Sequence, residues 1–157
     1  MGLRLLGALW LAAGLGAPAE AQMVSAKDPQ SVVKVLQKEG YSAKLEADEG
    51  GEPMISSGYS GSNFRIFFYN CTNKKDCATV QFYSGYTLDK PLTLDKINAW
   101  NRGQRFGRAY LNDKGEPAIE MDLDLDDGGI SPALFADNLE YWVSVMGAFE
   151  KHIGFRD

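Results

Sequence analysis

The sequence has few of the residues on which catalytic and metal sites depend. It contains one histidine, His152, and two cysteines, Cys71 and Cys77, among 157 residues. A zinc site or a Ser-His-Asp triad would therefore have to use that single histidine. Walker, dinucleotide-binding, zincin and haem-attachment motifs are missing, and the Gly-Tyr-Ser-Gly at 58–61 is one residue short of a nucleophile elbow. We expect no catalytic residues, no metal site and no cofactor.

The sequence also lacks basic clusters and long apolar segments. Its net charge is −5 at pH 7, and such a surface repels phosphate backbones, which disfavours nucleic-acid partners. The apolar run Leu5–Leu15 is too short to cross a hydrocarbon core of about 30 Å. We therefore expect no transmembrane anchor.

The N-terminal segment has the three parts of an export signal. Arg4 supplies the positive start, Leu5–Leu15 is the apolar run, and Ala19-Glu20-Ala21 is a small-x-small cleavage site. The sequence therefore predicts a signal peptide at 1–21, cleavage after Ala21, and a periplasmic or secreted protein. Residues 22–157 are expected to form a single domain, since their length is close to the commonest domain size.

Cap residues followed by apolar stripes predict three helices. They begin at Asp28-Pro29, Thr93 and Ser131-Pro132. The second helix is expected to turn Leu94, Ile97 and Trp100 inward and to end at Arg105 or Phe106. The third has a full apolar stripe, formed by Phe135, Leu139, Trp142, Met146, Phe149 and Ile153.

Alternating apolar and polar residues predict six strands, at 41–46, 54–59, 63–70, 78–86, 108–111 and 118–126. The resulting order is α-ββββ-α-ββ-α. Short turns between strands favour antiparallel pairing, and three amphipathic helices suffice to cover one face of the sheet. The predicted fold is a two-layer α+β domain, with an antiparallel sheet of about six strands and three helices on one face.

The two cysteines lie at the facing ends of the third and fourth predicted strands. In an exported protein, Cys71 and Cys77 are expected to form a disulfide. Redox catalysis is disfavoured because the spacing is C-x5-C, not C-x-x-C. If the disulfide joins opposite residues, paired positions in the hairpin sum to 148.

This register sorts the hairpin into a core face and an open face. The open face carries four residues that we predict as a binding surface, namely Arg65, Phe67, Tyr69 and Tyr83. Exposed aromatic patches of this kind mark partner or ligand sites. The alternatives are that a loop or the N-terminal segment covers the face, or that the protein dimerises there.

The sixth predicted strand has an acidic face, formed by Glu120, Asp122, Asp124 and Asp126. An EF-hand is disfavoured because Asp127 stands where that loop needs glycine and Ala133 where it needs glutamate. We expect a solvated strand face, with weak cation binding or glycoside hydrolysis as alternatives. His152, near the end of the last helix, is expected to serve as a boundary or C-capping residue.

Several segments together resemble the YbjN-like domains, which are labelled bacterial sensory transduction regulators. The resemblance is carried by Asp28–Val33 with Leu36 and Gly40-Tyr41, by Cys71 and Cys77 before Val80-Gln81-Phe82, by Leu94–Arg102, by Arg108-Ala109-Tyr110, and by Gly128–Ser131 before the Trp142 helix. It implies a non-enzymatic domain similar in fold to type III secretion chaperones, which bind unfolded segments of other proteins, often as dimers. It implies no active-site residues. The predicted export signal is a departure, because partners in the cytosol do not carry over to an exported member.

Taken together, the sequence predicts an exported, non-enzymatic binding or regulatory module. The expected partner is an envelope protein or peptide, bound in a chaperone-like manner. Two alternatives remain open: a small periplasmic hydrolase that uses the acidic strand, and a mainly structural homodimer.

Overall fold

The computed structural model describes residues 22–156, so the predicted signal peptide lies outside the described residues. Three helices and six strands alternate in the predicted order α-ββββ-α-ββ-α. The helices are α1 (Pro29–Lys38), α2 (Leu94–Gly103) and α3 (Pro132–Ile153). The strands are β1 (Lys44–Ala47), β2 (Pro53–Tyr59), β3 (Ser62–Tyr69), β4 (Thr79–Gly85), β5 (Arg108–Leu111) and β6 (Pro117–Asp124). The predicted α+β fold class is confirmed.

The strands form one antiparallel sheet in the order β1-β2-β3-β4-β6-β5. The hairpin register is the predicted one, since Arg65 pairs with Tyr83 and Tyr69 with Thr79. Two strands differ from their predicted bounds by more than one residue at one end. β1 starts only at Lys44, because the amide of Tyr41 still bonds the carbonyl of Leu36 at the end of α1. β6 ends at Asp124, short of the predicted residue 126.

The helix starts follow their caps. Pro29 takes the first position of α1, although the Asp28 side chain makes no capping hydrogen bond. The Thr93 hydroxyl accepts from the amide of Lys96, and the Ser131 hydroxyl from the amide of Leu134. These bonds satisfy amides that the first turn leaves without a helical partner.

Two expectations for α2 are wrong. The helix ends at Gly103, and Gln104 is already extended. The chain turns here because the Trp100 indole N–H donates to the carbonyl of Gly107, 2.9 Å away, which draws the start of β5 against the helix. Leu94 is 66% exposed and does not face the core, whereas Ile97 and Trp100 are buried.

The core lies between α3 and the sheet. The predicted apolar stripe of α3 is buried throughout. Trp142, in its middle, packs against Phe64 of β3 and Phe82 of β4, with ring centroids 6.1 and 5.6 Å away. Because α1 and α2 both contact α3, the helices share one side of the sheet. The side chains that alternate with this core therefore point to the opposite side, which we call the open face.

Candidate functional site

The four predicted binding residues lie together on the open face. β3 contributes Arg65, Phe67 and Tyr69, and β4 contributes Tyr83 opposite Arg65. Arg65 and Tyr69 are exposed, while Phe67 and Tyr83 are half-buried. Their alternation with buried Phe64, Ile66 and Phe68 follows directly from the period of a strand.

Phe67 contacts two of the other aromatic rings. Phe67 meets Tyr83 edge to face, with centroids 5.7 Å apart, and lies 6.4 Å from Tyr69. Burial is the main cause that raises the pKa of both tyrosines, and the next cause for each is Tyr110 of β5. Tyr110 follows the buried Ala109 in β5 and so lies on the open face, and we call Phe67, Tyr69, Tyr83 and Tyr110 the aromatic patch.

The sequence reasoning missed Tyr110. The alternation of apolar and polar residues in β5 can be seen in the sequence, but the position of β5 in the sheet cannot. β5 pairs only with β6, and Tyr110 stands opposite Ala118. Ala118 in turn pairs with Gly85 of β4. Because Ala118 and Gly85 are both small, Tyr110 and Tyr83 remain within electrostatic range of each other.

Polar contacts hold one side of the aromatic patch. The Tyr69 hydroxyl lies 3.4 Å from the amide oxygen of Gln81, whose Nε2 donates to Asp122 at 2.9 Å. This chain runs across β3, β4 and β6. These hydrogen bonds restrict the rotamers of Tyr69, Gln81 and Asp122 in the free protein. Less conformational entropy is therefore lost when a ligand binds.

The predicted acidic face is not uniformly solvated, and that expectation is wrong at Glu120. Its side chain is only 4% exposed and pairs with Arg108 of β5. Asp122 accepts from Gln81, and Asp124 accepts from the amide of Asp126 beyond the end of β6. Among residues 22–156, no three His, Cys, Asp or Glu side chains come together as metal ligands would.

Arg65 stands at the centre of the open face. No carboxylate within residues 22–156 forms an ion pair with it, whereas Lys44 pairs with Glu46 at 2.8 Å and Arg108 pairs with Glu120. A groove of about 430 Å³ lies on one side of Arg65, lined by Met54, Phe67 and Tyr69 among others. A crevice of about 280 Å³ lies on its other side, next to Tyr83.

The disulfide closes the hairpin beside the aromatic patch. Cys71 and Cys77 are bonded, and Cys77 is fully buried. In the loop between them, Lys74 lies against the β1–β2 turn, where a Cβ on Gly51 would be 3.1 Å from its Nζ. The covalent bond thus holds the end of β3, just after Tyr69, in register with the start of β4.

His152 lies at the boundary between two helices, as predicted. Its Nε2 is 2.8 Å from the carbonyl of Lys96 in α2, and its ring lies 5.5 Å from that of Trp100. It therefore ties the end of α3 to the start of α2. This position is on the opposite side of the sheet from the aromatic patch.

Fold and surface together define a two-layer α+β domain with one helix-covered face and one open face that presents aromatic side chains. The chain belongs to the YbjN family, described as "putative bacterial sensory transduction regulator", which it matches over residues 28–155. No curated protein matches the sequence. No helix within residues 22–156 is long and apolar enough to cross a membrane.

Proposed function

We propose that this protein is an exported, non-enzymatic regulatory module that binds an extended segment of an envelope protein on its open face. The observation that carries the proposal is the aromatic patch, which no helix of residues 22–156 covers and which lies beside Arg65, an arginine without an ion pair in that part of the chain. Tyrosine and arginine are the residues enriched where protein partners bind most strongly. The family description, a regulator, is consistent with this role.

The groove beside Arg65 favours an extended partner. It runs past Met54 on β2 to Phe67 and Tyr69 on β3, so side chains of a peptide in it would contact apolar rings. Arg65 at its end would donate to a carbonyl or carboxylate of that peptide. We assign no reaction to β6, because Glu120 is engaged by Arg108 and Asp124 by a backbone amide.

Export is a separate part of the proposal and rests on the sequence of residues 1–21. Intact-mass measurement of protein purified from cells that express the full gene tests it. A mass corresponding to a chain that begins at Gln22 supports export. A chain that retains residues 1–21 contradicts it.

The binding surface is tested with a double variant, Phe67→Ala with Tyr69→Ala. Chemical crosslinking in intact cells identifies partners, and overlapping synthetic peptides from those partners are then tested by fluorescence anisotropy. We expect the double variant to remain folded and to lose peptide binding by at least about tenfold, because each aromatic anchor contributes on the order of 1 kcal/mol or more.

A matched control is available on another surface. Phe106 and Tyr141 are also exposed aromatic residues in contact, with centroids 5.1 Å apart. Phe106→Ala with Tyr141→Ala should leave peptide binding unchanged. Equal loss in both double variants, or loss in neither, would overturn the proposed surface.

Sedimentation of the purified protein tests whether a second copy occupies the open face instead. A monomer that binds peptide supports the proposal. A stable dimer that dissociates in the Phe67→Ala, Tyr69→Ala variant would replace it with the homodimer alternative.

A further inference from the structure

A small crevice lies on the open face at the end of β4, beyond the aromatic patch. Its volume is about 280 Å³, and its lining includes Asn63, Arg65, Tyr83, Gly85, Thr87 and Glu116. This volume lies just below the range of about 300 to 1,000 Å³ that is usual for ligand pockets, so the crevice would admit only a small molecule.

Gly85 forms the floor of the crevice. It lies within β4 and does not have positive φ, so its backbone does not require glycine. A Cβ at this position would lie 2.7 Å from the hydroxyl oxygen of Tyr83. The missing side chain therefore lets Tyr83 lie along its own strand, and the Tyr83 hydroxyl faces the crevice.

Charges of opposite sign border the crevice. On one side is Arg65, which has no ion pair within the described residues. On the other is Glu116, whose carboxylate accepts from neutral donors only: Asn112 Nδ2 at 3.0 Å and Thr87 Oγ1 at 3.1 Å. These two hydrogen bonds, that of Asn112 first, lower the pKa of Glu116, and the charge of Lys114 lowers it further. The carboxylate thus stays ionised, although no cation within residues 22–156 forms an ion pair with it.

Tyr83 lines the crevice together with both charged residues. Burial is the largest cause that raises its pKa, but Arg65 lowers that pKa and Glu116 raises it. Both charges are therefore within electrostatic range of one hydroxyl group. An arginine, a carboxylate and a phenol border one small cavity.

We propose that this crevice binds a small zwitterion of the α-amino acid type, with its carboxylate on Arg65 and its ammonium group on Glu116. A ligand with both charges satisfies both side chains, whereas an anion or a cation alone would pair with only one of them. Charge-assisted hydrogen bonds at both ends also fix the ligand's direction. The site goes beyond the proposed peptide surface and shares only Arg65 and Tyr83 with it.

Isothermal titration calorimetry of the purified protein with each proteinogenic L-amino acid tests the site. We expect at least one to bind at millimolar concentration. Its N-acetyl derivative, which lacks the ammonium group, and its amide, which lacks the carboxylate, should each bind at least about tenfold more weakly. An equal affinity for either derivative, or no binding by any amino acid, would overturn the proposal.

Three variants locate the ligand. Arg65→Gln and Glu116→Gln should each weaken binding at least about tenfold, because each removes one charged partner. Gly85→Ala should also weaken it, since the new methyl group displaces the Tyr83 hydroxyl and fills the floor. Asp113→Asn, an exposed position on the same hairpin turn as Glu116, serves as the control and should bind normally. Normal binding by Arg65→Gln, an exposed residue whose loss should not affect folding, would contradict the assignment.

The two proposals fail separately. Tyr69 does not line the crevice, and Tyr69→Ala leaves Phe67 in place against Tyr83, so this single variant should retain amino-acid binding. If it does and Phe67→Ala with Tyr69→Ala keeps peptide binding, only the proposed peptide surface is overturned. If peptide binding is lost as expected but no amino acid binds the wild type, only the crevice proposal falls.

Discussion

The guanidinium of Arg108 pairs with the carboxylate of Glu120 across β5 and β6, on the face of the sheet that the helices leave open. The two partners differ sharply in exposure, since the Arg108 side chain is 69% exposed and the Glu120 side chain 4%. Arg108 also lies over the ring of Tyr110, 5.5 Å from its centroid. The open face thus contains a desolvated carboxylate that depends on one arginine.

Replacement of Arg108 should therefore destabilise the protein. Arg108→Ala leaves the Glu120 carboxylate buried without its cation, and a buried polar group that loses its partner costs about 1–3 kcal/mol. Urea unfolding followed by circular dichroism measures the change. Lys114→Ala, which removes an exposed cation from the β5–β6 turn, should change stability by less than about 0.5 kcal/mol. A similar small effect for Arg108→Ala would show that Glu120 is not desolvated in solution.

The disulfide should stabilise the fold without being needed to form it. In the chain-entropy model, closing a loop as short as that between Cys71 and Cys77 is worth about 2 kcal/mol. The free energy of unfolding of the wild type, measured with urea, should fall by this amount when reductant is added. Cys71→Ala with Cys77→Ala should not respond to reductant. Equal midpoints for the oxidised and reduced wild type would contradict the expectation.

Gly107 should resist substitution because its side-chain space is occupied. Its φ is +80°, and a Cβ there would lie 2.5 Å from Cγ1 of Val145 and 2.9 Å from Cδ1 of Ile119. Gly107→Ala combines overpacking with backbone strain and should cost about 3 kcal/mol. Gly115→Ala is the matched control, since its φ is +77° but nothing lies within 4 Å of the added Cβ. Gly115→Ala should cost about 1 kcal/mol. Equal losses of stability in Gly107→Ala and Gly115→Ala would contradict the packing argument.

Tyr86 should make stability fall at high pH. Its hydroxyl is buried and makes no hydrogen bond of ordinary geometry within residues 22–156; burial is the largest cause that raises its pKa, and the nearby Glu150 carboxylate raises it further. A raised pKa means that the folded state holds this proton more tightly, so its contribution is complete below the unfolded pKa of about 10 and is lost as the pH rises above it. Tyr86→Phe should therefore flatten the loss of unfolding free energy measured by urea above about pH 10.

At neutral pH the same variant should be as stable as the wild type or slightly more stable, because the hydroxyl it removes is unpaired. Tyr141→Phe removes the hydroxyl of an exposed tyrosine and is the control. If both variants lose stability with the same slope at alkaline pH, Tyr86 does not cause the dependence.

Much of the hairpin could be predicted because its information is local. The two cysteines are six residues apart, so their bond fixes which residues of β3 and β4 are opposite each other. Strand alternation then separates Arg65 and Phe67 from the buried side chains. The starts of α2 and α3 are predictable for the same reason, since the Thr93 and Ser131 caps act on the turn next to them. Pro29 marks the start of α1 without a capping bond from Asp28.

Other features depended on contacts between distant segments. Leu94 matched the apolar stripe of α2 yet is exposed, because the side of α2 that is buried depends on where α3 and β5 lie. Glu120 matched a polar strand face yet is buried, because β5 brings Arg108 beside it. Helical and strand periods describe one element at a time and carry no information on its neighbours.

The sequence by itself determined the order of elements, the α3 stripe and the two faces of the β3–β4 hairpin, because periodicity, caps and a short disulfide act over a few residues. Only the tertiary structure decided that β6 lies between β4 and β5. That insertion brings Tyr110 near Tyr83 and places Glu116 beside the end of β4, opposite Arg65. Strand neighbours of this kind are chosen by packing of the whole core, so the aromatic patch and the charged crevice exist only once the chain has folded.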